Sequence, residues 1–317
     1  MKKDLTGITD LSRDELLELL ESARQLKAEI KTEHRLPTAV GAVAALIFEK
    51  PSLRTRVTFE VALRQLGGAS IYLGPQDIGL GVRETVPDVA RNLSRWVDGI
   101  IARVFEHEKI IQLAANATVP VINALSDFEH PCQTLADLLT ILEQRGRLEG
   151  TTVAWTGDGN NVCNSLMLAC GLVGINLRVA TPKGFEPPRP VVEKALAAAR
   201  QSGATIMLTY DPVAAVANAD FVYTDVWASM GQENEAEQRR QIFRPYQLNK
   251  ELLAQARPDA KVLHCLPAHR GEEITAEVLD GPQSIVLDQA ENRLHAQRAL
   301  LAKLLARNQS GSVLGHK

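Results

Sequence analysis

The chain lacks the features that define several large classes of protein. No apolar run reaches the roughly 18 residues needed to span a membrane. Its four cysteines, Cys132, Cys163, Cys170 and Cys265, have no paired zinc spacing and are too scattered to predict a disulfide framework. The N-terminal segment Met1–Thr6 has no apolar core for a secretory signal. These absences predict a cytoplasmic protein with no membrane partner.

The chain also lacks a strong excess of charge of either sign. Its formal net charge is −3 and its pI is near 6.2, whereas a general nucleic-acid binder usually has a basic bias. We therefore expect no nucleic-acid partner, although a local cationic pocket is compatible with these values. Hydrophobic residues at 45% and charged residues at 23% are typical of a globular protein, and 317 residues suffice for two ordinary domains or one large one.

Short apolar runs alternate with amphipathic segments along the whole chain. The strand candidates are Ala42–Phe48, Ser70–Leu73, Gly99–Val104, Val119–Leu125, Thr152–Trp155, Asn176–Ala180, Thr205–Thr209, Phe221–Thr224, Lys261–Cys265 and Ser284–Leu287. The helical patterns include Ser12–Lys27, Val57–Leu66, Val86–Val97, Cys132–Gln144, Val191–Gln201, Leu252–Ala256 and Arg293–Ala306. Such alternation predicts βαβ units and covered parallel sheets. The predicted fold class is therefore α/β, with two doubly wound parallel-sheet domains and the active site in the cleft between them.

The domain boundary is predicted at the helix that begins near His130. Residues 1–129 would form the first domain and residues 130–292 the second, because the polar turn Arg145–Gly150 leads from this helix into a new strand. The C-terminal helix, about 293–307, is expected to pack back on the first domain. Residues 308–317 are polar and read as a loose tail.

The segment Ser52–Arg56 carries the most specific local signal. It lies between an apolar run and a helical pattern, which predicts a strand, a tight loop and a helix N-terminus, where an anion is favoured. Its two hydroxyls and two guanidiniums are groups that bind phosphate oxygens. We interpret it as a phosphate site. The alternative is an ordinary helix start with Ser52 as the N-cap and solvated arginines.

Further polar motifs also follow predicted strands. They are Arg103, His130–Gln133, Gly157–Asn161, Asp225–Gly231 and His264–Pro267. Open α/β sheets bind ligands at the carboxyl ends of their parallel strands. These motifs, together with Ser52–Arg56, therefore predict one cleft between the two domains.

The motifs resemble those of the aspartate/ornithine carbamoyltransferase family, in the same order and over nearly the whole chain. The resemblance rests on Ser52–Arg56 (Ser-Leu-Arg-Thr-Arg), Arg103, His130–Gln133 (His-Pro-Cys-Gln), Asn161, Asp225–Gly231 (Asp-Val-Trp-Ala-Ser-Met-Gly), His264–Pro267 (His-Cys-Leu-Pro) and Arg293. It implies carbamoyl transfer from carbamoyl phosphate to the side-chain amine of L-ornithine, giving L-citrulline and phosphate, as in arginine biosynthesis or a urea-cycle-type step. It also implies no metal or other cofactor, and a homotrimer or a multiple of trimers.

The resemblance also implies a role for individual residues. Carbamoyl phosphate would be bound by Ser52, Leu53, Arg54, Thr55, Arg103, His130, Gln133, Cys265, Leu266 and Arg293. Ornithine would be bound by Asn161, Asp225, Ser229 and Met230. The catalytic residues would be Arg103, His130, Asp225 and Cys265. In this scheme His130 donates to the carbonyl oxygen, and Asp225 and Cys265 orient the amine and assist its loss of a proton.

Two positions depart from the pattern of the family. Leu53 stands where many relatives carry a small or hydroxylated residue, so we expect it to contribute its backbone N–H. Gly79, in the loop Gln76–Gly81, stands where several relatives carry His or Gln, in a loop that reaches a neighbouring subunit's site. We therefore leave Gly79 out of the predicted site.

Several functional alternatives stay open. Within the family the acceptor could instead be putrescine, N-acetylornithine or aspartate, and a non-catalytic paralogue is a further alternative. Gly157–Asn161 resembles half of a dinucleotide fingerprint, as in a nucleotide-dependent oxidoreductase. However, Val162 stands where the third glycine would be, and the motif is weak even when complete.

Single residues of the predicted site also have ordinary structural explanations. Taken alone, His130 is compatible with a helix cap, Cys265 with a buried packing residue and Asp225 with a turn cap. Arg293 is compatible with a salt-bridged helix start.

Overall fold

The computed structural model describes residues 2–30, 38–228 and 235–306. Its first sheet contains four parallel strands in the order β2-β1-β3-β4. These strands are β1 (Val43–Phe48), β2 (Ala69–Leu73), β3 (Gly99–Arg103) and β4 (Val121–Leu125). The second sheet contains five parallel strands in the order β7-β6-β5-β8-β9. They are β5 (Thr152–Thr156), β6 (Asn176–Ala180), β7 (Ile206–Thr209), β8 (Phe221–Thr224) and β9 (Lys261–Leu263).

Helices connect the strands and cover the sheets. They are α1 (Arg13–Ile30), α2 (Leu53–Gln65), α3 (Pro75–Ile78), α4 (Val86–Leu93), α5 (His107–Asn116), α6 (Pro131–Arg145), α7 (Asn161–Val173), α8 (Arg189–Ser202), α9 (Pro212–Val216), α10 (Ala236–Phe243), α11 (Lys250–Leu253), α12 (Ala276–Leu279) and α13 (Val286–Leu305). Six of the nine strands are buried at every position or at all positions but one, as expected for parallel sheets covered on both faces. The predicted fold class of two doubly wound parallel sheets is confirmed.

The strand order reverses once in each sheet, and both reversals lie where the sequence motifs fall. In the first sheet β1 has β2 on one side and β3 on the other, so the reversal lies between β1 and β3. In the second sheet β5 has β6 on one side and β8 on the other, so the reversal lies between β5 and β8. Ligands of open α/β sheets bind at such switch points. Ser52 follows β1 and Arg103 ends β3, while Gly157 follows β5 and Asp225 follows β8. Topology alone thus brings the polar motifs to two crevices.

Two helices tie the sheets together. The long helix α6 leaves β4 of the first sheet and leads to β5 of the second, and α13 packs against α1, α2 and α6. Their buried faces join a single hydrophobic core that includes Phe48 of the first sheet and Trp155 of the second. Both side chains are fully buried, so a continuous hydrophobic core joins the two sheets.

The structure corrects one predicted strand and one helix start. Ser284–Leu287 is not a strand: Ser284 forms a single bridge with Val262, and α13 begins at Val286, seven positions before Arg293. The β-branched and apolar residues of this run indicated a strand, but the residues that follow continue as a helix whose inner face is buried.

Some predictions fall outside the described part of the chain. These are the loose tail over 308–317 and the roles of Ser229 and Met230. Among residues 2–30, 38–228 and 235–306, no helix combines the length and the apolar character that crossing a membrane requires.

Candidate active site

A cleft of about 450 Å³ opens between the carboxyl edges of the two sheets. Of the residues predicted from the sequence, those that line it are Ser52, Arg54, Thr55, Arg103, His130, Gln133, Asn161, Asp225, Cys265, Leu266 and Arg293. Leu53 is not among them: the residue is 74% exposed and is the first residue of α2, so its backbone N–H belongs to the first turn of that helix. One wall of the cleft is cationic and the other contains a carboxylate and a thiol.

The cationic wall begins at the N-terminus of α2. Ser52 occupies the N-cap position, yet its hydroxyl makes no capping hydrogen bond, so an ordinary capped start does not describe this helix. The first-turn N–H groups have no partner inside the helix and carry the positive end of its dipole. Arg54 lines the cleft, whereas Arg56 pairs with Glu60 at 2.9 Å on the outer face. Arg54 is therefore available to a ligand in the cleft, whereas Arg56 is not.

Three guanidiniums, from Arg54, Arg103 and Arg293, converge on this wall. The Thr55 hydroxyl oxygen accepts from Arg103 Nη1 at 3.5 Å and from Arg293 Nη2 at 3.2 Å. Within the described ranges no carboxylate forms an ion pair with Arg54 or Arg293. Burial and the charge of Arg293 lower the pKa of Arg103 to about 10, and burial also lowers the pKa values of Arg54 and Arg293. An anion bound here would relieve the repulsion among the three cations.

The position of Arg103 depends on an irregularity of the first sheet. The register between β3 and β4 shifts between Ala102 and Arg103, so Arg103 lies opposite Leu125. Such bulges turn a side chain out of its regular direction and are frequent beside functional sites. Arg103 is thereby directed at the end of the strand toward the start of α2.

His130 lies beside the three arginines at the start of α6. It occupies the N-cap position, but its side chain makes no capping hydrogen bond, so capping does not explain it. Its backbone N–H donates to Ser165 Oγ at 2.9 Å, which anchors the residue while the imidazole faces the cleft. Burial and the charges of Arg293 and Arg103 lower the pKa of His130 well below its usual value. The imidazole is therefore neutral at pH 7 and offers one N–H donor.

Arg293 reaches the cleft from inside α13 and is 2% exposed. Its Nη1 donates to Gln133 Oε1 at 2.6 Å, and Gln133 lies one turn after His130 on α6. Arg293 is thus a buried side chain in the body of a helix, and the alternative of a salt-bridged helix start is wrong.

The opposite wall is built around the carboxylate of Asp225. Asp225 Oδ1 accepts from Cys265 Sγ at 3.0 Å, and Oδ2 accepts from Asn160 Nδ2 at 2.7 Å. These partners come from the loops after β9 and β5, so Asp225 joins three strand ends and does not merely cap its own turn. Burial and the Asp225 charge raise the pKa of the Cys265 thiol well above its usual value. The thiol is therefore a hydrogen-bond donor at neutral pH and not a thiolate base.

The loop after β9 is held by His264. Its Nε2 lies 3.0 Å from Glu273 Oε1, and its Nδ1 accepts from the Leu266 N–H at 2.9 Å. Because Nδ1 accepts, Nε2 carries the proton and donates to Glu273. The Leu266 N–H is thus occupied, and Leu266 can bind a ligand through its carbonyl oxygen.

Among the residues that the structure describes, two groups of side chains bring metal-ligating atoms within 4.8 Å of one another. They are Asp225, His264 and Cys265, and His269, Glu272 and Glu273. In the first group both ring nitrogens of His264 are already hydrogen-bonded, and the thiol donates to the carboxylate. These contacts account for the arrangement of that group without an ion.

The turn Gly157–Asn161 contains a residue that the sequence analysis missed. Asn160 Oδ1 accepts from the N–H groups of Val162 and Cys163, so Asn160 caps α7 while its Nδ2 holds Asp225. Asn161 Nδ2 donates to the Ser126 carbonyl at 2.6 Å, which joins the two sheets across the cleft. The doubled asparagine before an apolar helix was a capping signal that could have identified Asn160.

The same turn does not resemble a dinucleotide site in space. A Cβ atom at Gly159 would lie 2.4 Å from Pro187 N, so this glycine allows the segment 185–187 to pack over the turn. The N–H groups that a pyrophosphate would need are partly occupied by the Asn160 cap. Asp158, which also lines the cleft, accepts from Arg239 Nη1 at 3.0 Å, a buried ion pair that the sequence did not suggest.

Comparison with known proteins identifies the class to which this cleft belongs. A family model described as "Aspartate/ornithine carbamoyltransferase, carbamoyl-P binding domain" matches residues 3–143. A second, described as "Aspartate/ornithine carbamoyltransferase, Asp/Orn binding domain", matches residues 149–304. The chain belongs to the aspartate/ornithine carbamoyltransferase family.

Individual proteins similar to this chain are named ornithine carbamoyltransferases. The chain is 53% identical over 305 residues to the ornithine carbamoyltransferase of Thermococcus kodakarensis, covering 96% of each chain. It is equally similar, over the same length and coverage, to a protein of Pyrococcus furiosus named "Ornithine carbamoyltransferase, anabolic". The solved structure of the Pyrococcus furiosus ornithine carbamoyltransferase is 54% identical, has a TM-score of 0.92 and is covered to 96%, with 94% of this chain matched. That of Thermus thermophilus is 49% identical with a TM-score of 0.87, covering 96% of this chain and 99% of that one.

Proposed function

We propose that the protein transfers the carbamoyl group of carbamoyl phosphate to the side-chain amine of L-ornithine, giving L-citrulline and phosphate. The observation that carries the proposal is the convergence of Arg54, Arg103 and Arg293 opposite the Asp225 carboxylate in one cleft. The cationic wall suits a phosphate dianion, and the opposite wall suits an amine. The names of the relatives support ornithine as the acceptor, and the anabolic relative supports a role in arginine biosynthesis.

Carbamoyl phosphate would bind at the N-terminus of α2. Its phosphate would receive hydrogen bonds from the uncapped Ser52 hydroxyl, from Thr55 and from the first-turn N–H groups, including that of Leu53. The guanidiniums of Arg54 and Arg103 would neutralise the charge. Such preorganised donors in a partly buried cleft stabilise charge far better than water does.

The carbamoyl carbon would then be attacked by the ornithine nitrogen. A C–N bond forms, the carbonyl oxygen becomes an oxyanion, and the C–O bond to phosphate breaks as the intermediate collapses. The neutral imidazole of His130 donates to the oxyanion, and Arg103 and Arg293 supply charge beside it. Each such donor contributes a factor of about 10² to 10³ in rate.

The ornithine amine must lose a proton to react. By analogy with lysine its pKa is near 10.4, so about one molecule in 10³ is neutral at pH 7. The ammonium proton would go to solvent before attack, and Asp225, which accepts from the Cys265 thiol, would accept a hydrogen bond from the neutral amine and orient its lone pair. After the C–N bond forms, the leaving phosphate would take the second proton from the nitrogen. Asn161, Ser229 and the Met230 backbone would bind the α-amino and α-carboxylate groups.

We further propose how the chain is organised around this reaction. Residues 1–129, with the C-terminal helix, would bind carbamoyl phosphate, and residues 130–292 would bind ornithine. The packing of α13 on α2 supports the return of the C-terminal helix to the first sheet. By family resemblance we propose a homotrimer, or a multiple of trimers, that acts in the cytoplasm.

The test is product formation from carbamoyl phosphate with ornithine, N-acetylornithine, putrescine and aspartate as parallel acceptors, each product identified by mass. We expect citrulline from ornithine and no carbamoylation of the other three. Preference for another acceptor would overturn ornithine as the substrate but would leave carbamoyl phosphate as the donor. Folded protein that binds carbamoyl phosphate but carbamoylates no acceptor would indicate a non-catalytic paralogue.

A further inference from the structure

Asp137 is a buried carboxylate that the reaction described above does not use. It lies on α6 one turn after Gln133 and is 0% exposed. It accepts hydrogen bonds from Gln133 Nε2 at 2.8 Å, Gln289 Nε2 at 2.6 Å and the Tyr223 hydroxyl at 3.1 Å. These donors come from α6, α13 and β8, so the carboxylate lies where the two sheets are joined.

The Asp137 carboxylate and the Arg293 guanidinium together fix which way the Gln133 amide points. Burial raises the pKa of Asp137 to about 6, so at neutral pH the group is ionised and can accept but not donate hydrogen bonds. The NH₂ side of the Gln133 amide must therefore face Asp137. Its carbonyl oxygen then faces the other way, where it accepts from Arg293 Nη1 at 2.6 Å, and both residues line the cleft.

We propose that Asp137 is a positioning residue that holds the Gln133 carbonyl oxygen toward the cleft and so makes the site select a carbamoyl group over an acetyl group. This inference rests on the proposed function. The NH₂ of carbamoyl phosphate can donate to Gln133 Oε1, which has a second lone pair beyond the one that faces Arg293. A methyl group of the same size cannot. A site built to bind an NH rejects the analogue that lacks it, because its own polar atom is left unpaired.

The test measures this selectivity in equilibrium binding without ornithine. The ligands are phosphonoacetamide and acetonylphosphonate, stable phosphonates that differ in NH₂ against CH₃, and inorganic phosphate as a probe of the arginine wall. For the parent protein we expect phosphonoacetamide to bind about tenfold to a hundredfold more tightly than acetonylphosphonate. In Asp137→Asn the NH₂ of the new side chain can face Gln133 Nε2, so the hydrogen bond from Arg293 Nη1 is the contact left to orient the Gln133 amide. We expect the ratio to fall below about threefold while the Kd for phosphate changes by less than about twofold.

Three further variants make the test specific. Tyr223→Phe removes one donor to Asp137 but leaves the contact with Gln133, so the ratio should be retained. Asp137→Leu places an apolar side chain at this buried position and should lower the affinity ratio of the two phosphonates as Asp137→Asn does. It serves as the test variant if Asp137→Asn does not fold. In a Gln133→Met background the ratio should already be lost, and adding Asp137→Asn should change nothing more, because Asp137 acts through Gln133.

The outcomes separate this inference from the proposed function. A parent preference for phosphonoacetamide that survives in folded Asp137→Asn and Asp137→Leu overturns the role of Asp137 and leaves the proposed function intact. Loss of phosphate binding equal to the loss of phosphonoacetamide binding also overturns it, since that result describes a general collapse of the site. A parent protein that binds phosphate but does not distinguish the two phosphonates overturns both the carbamoyl donor and this inference.

Discussion

Two helix N-termini face the same cleft and are built in opposite ways. At the start of α2, Ser52 makes no capping hydrogen bond, and the adjacent Arg54 has no carboxylate partner within the described ranges. At the start of α7, Asn160 caps the helix through its carbonyl oxygen and holds Asp225 through its NH₂. The N–H groups at the start of α2 are available to bind an anion, whereas N–H groups at the start of α7 already donate to Asn160.

A helix N-terminus can therefore serve either of two purposes in one site. An uncapped terminus with adjacent cations is a binding surface whose electrostatic strain is relieved by the ligand. A capped terminus is a rigid support that positions a neighbouring side chain. The two walls should therefore respond differently to mutation: changes near α2 should weaken anion binding, and changes near α7 should misplace the acceptor amine.

The largest expected effect comes from the cationic wall. Arg103→Met should lower kcat/KM by about 10³ or more, because it removes the positive charge that stabilises both the phosphate and the oxyanion. Steady-state kinetics with ornithine and carbamoyl phosphate measure the change. Arg189→Met is the matched control, since the Arg189 side chain is 89% exposed and pairs with Glu193. A loss below tenfold in Arg103→Met would contradict the assignment.

The next largest effect should fall on the opposite wall. Asp225→Asn keeps the size of the side chain but removes the charge that orients the amine, so kcat should fall by about 10² to 10³. Binding of inorganic phosphate should stay within about twofold of the parent. Asp259→Asn serves as the control because its side chain is 61% exposed. Equal losses of phosphate binding and turnover would show that the two walls are not separable.

The two N-cap residues offer a direct contrast. Asn160→Ala removes a cap and should lower the free energy of unfolding by about 1 kcal/mol, whereas Ser52→Ala removes no cap and should leave it unchanged. Phosphate affinity should show the reverse order, falling about tenfold in Ser52→Ala and little in Asn160→Ala. Denaturant unfolding and calorimetry measure the two quantities. The same order of effects in both measurements would remove the distinction between the termini.

The smallest effect is expected at Cys265. Its raised pKa keeps the thiol protonated, so Cys265→Ser retains a donor to Asp225 and should reduce kcat by less than about tenfold. The alkaline limb of the pH–rate profile should not move, because the thiol of the parent does not titrate in that range. A shift of that limb in Cys265→Ser would mean that the thiol takes part in proton removal.

Much of this architecture was predictable because its signals are local. Alternating strand and helix patterns predict two parallel sheets, and the carboxyl ends of their strands predict where polar motifs meet. Ser52–Arg56 carries hydroxyls and guanidiniums at a strand-to-helix turn, a combination that indicates an anion whatever the rest of the chain does.

What the sequence did not predict depends on tertiary contacts. Arg54 and Arg56 look equivalent along the chain. In the structure Arg56 pairs with Glu60 and lies over the ring of Tyr72, whereas Arg54 lines the cleft. The early start of α13 at Val286 follows from burial against other helices, which local propensity does not contain. The orientation of Gln133 depends on Asp137 and on Arg293, which is distant in sequence.

We expect the cationic wall at α2 to bind the phosphate group independently of the carboxylate wall. Titration of inorganic phosphate into the parent protein, Arg103→Met and Asp225→Asn, each without ornithine, tests it most directly by calorimetry. We expect phosphate to bind to the parent and to Asp225→Asn with similar Kd, and not detectably to Arg103→Met. Phosphate binding that survives in Arg103→Met, or that disappears in Asp225→Asn, would contradict it.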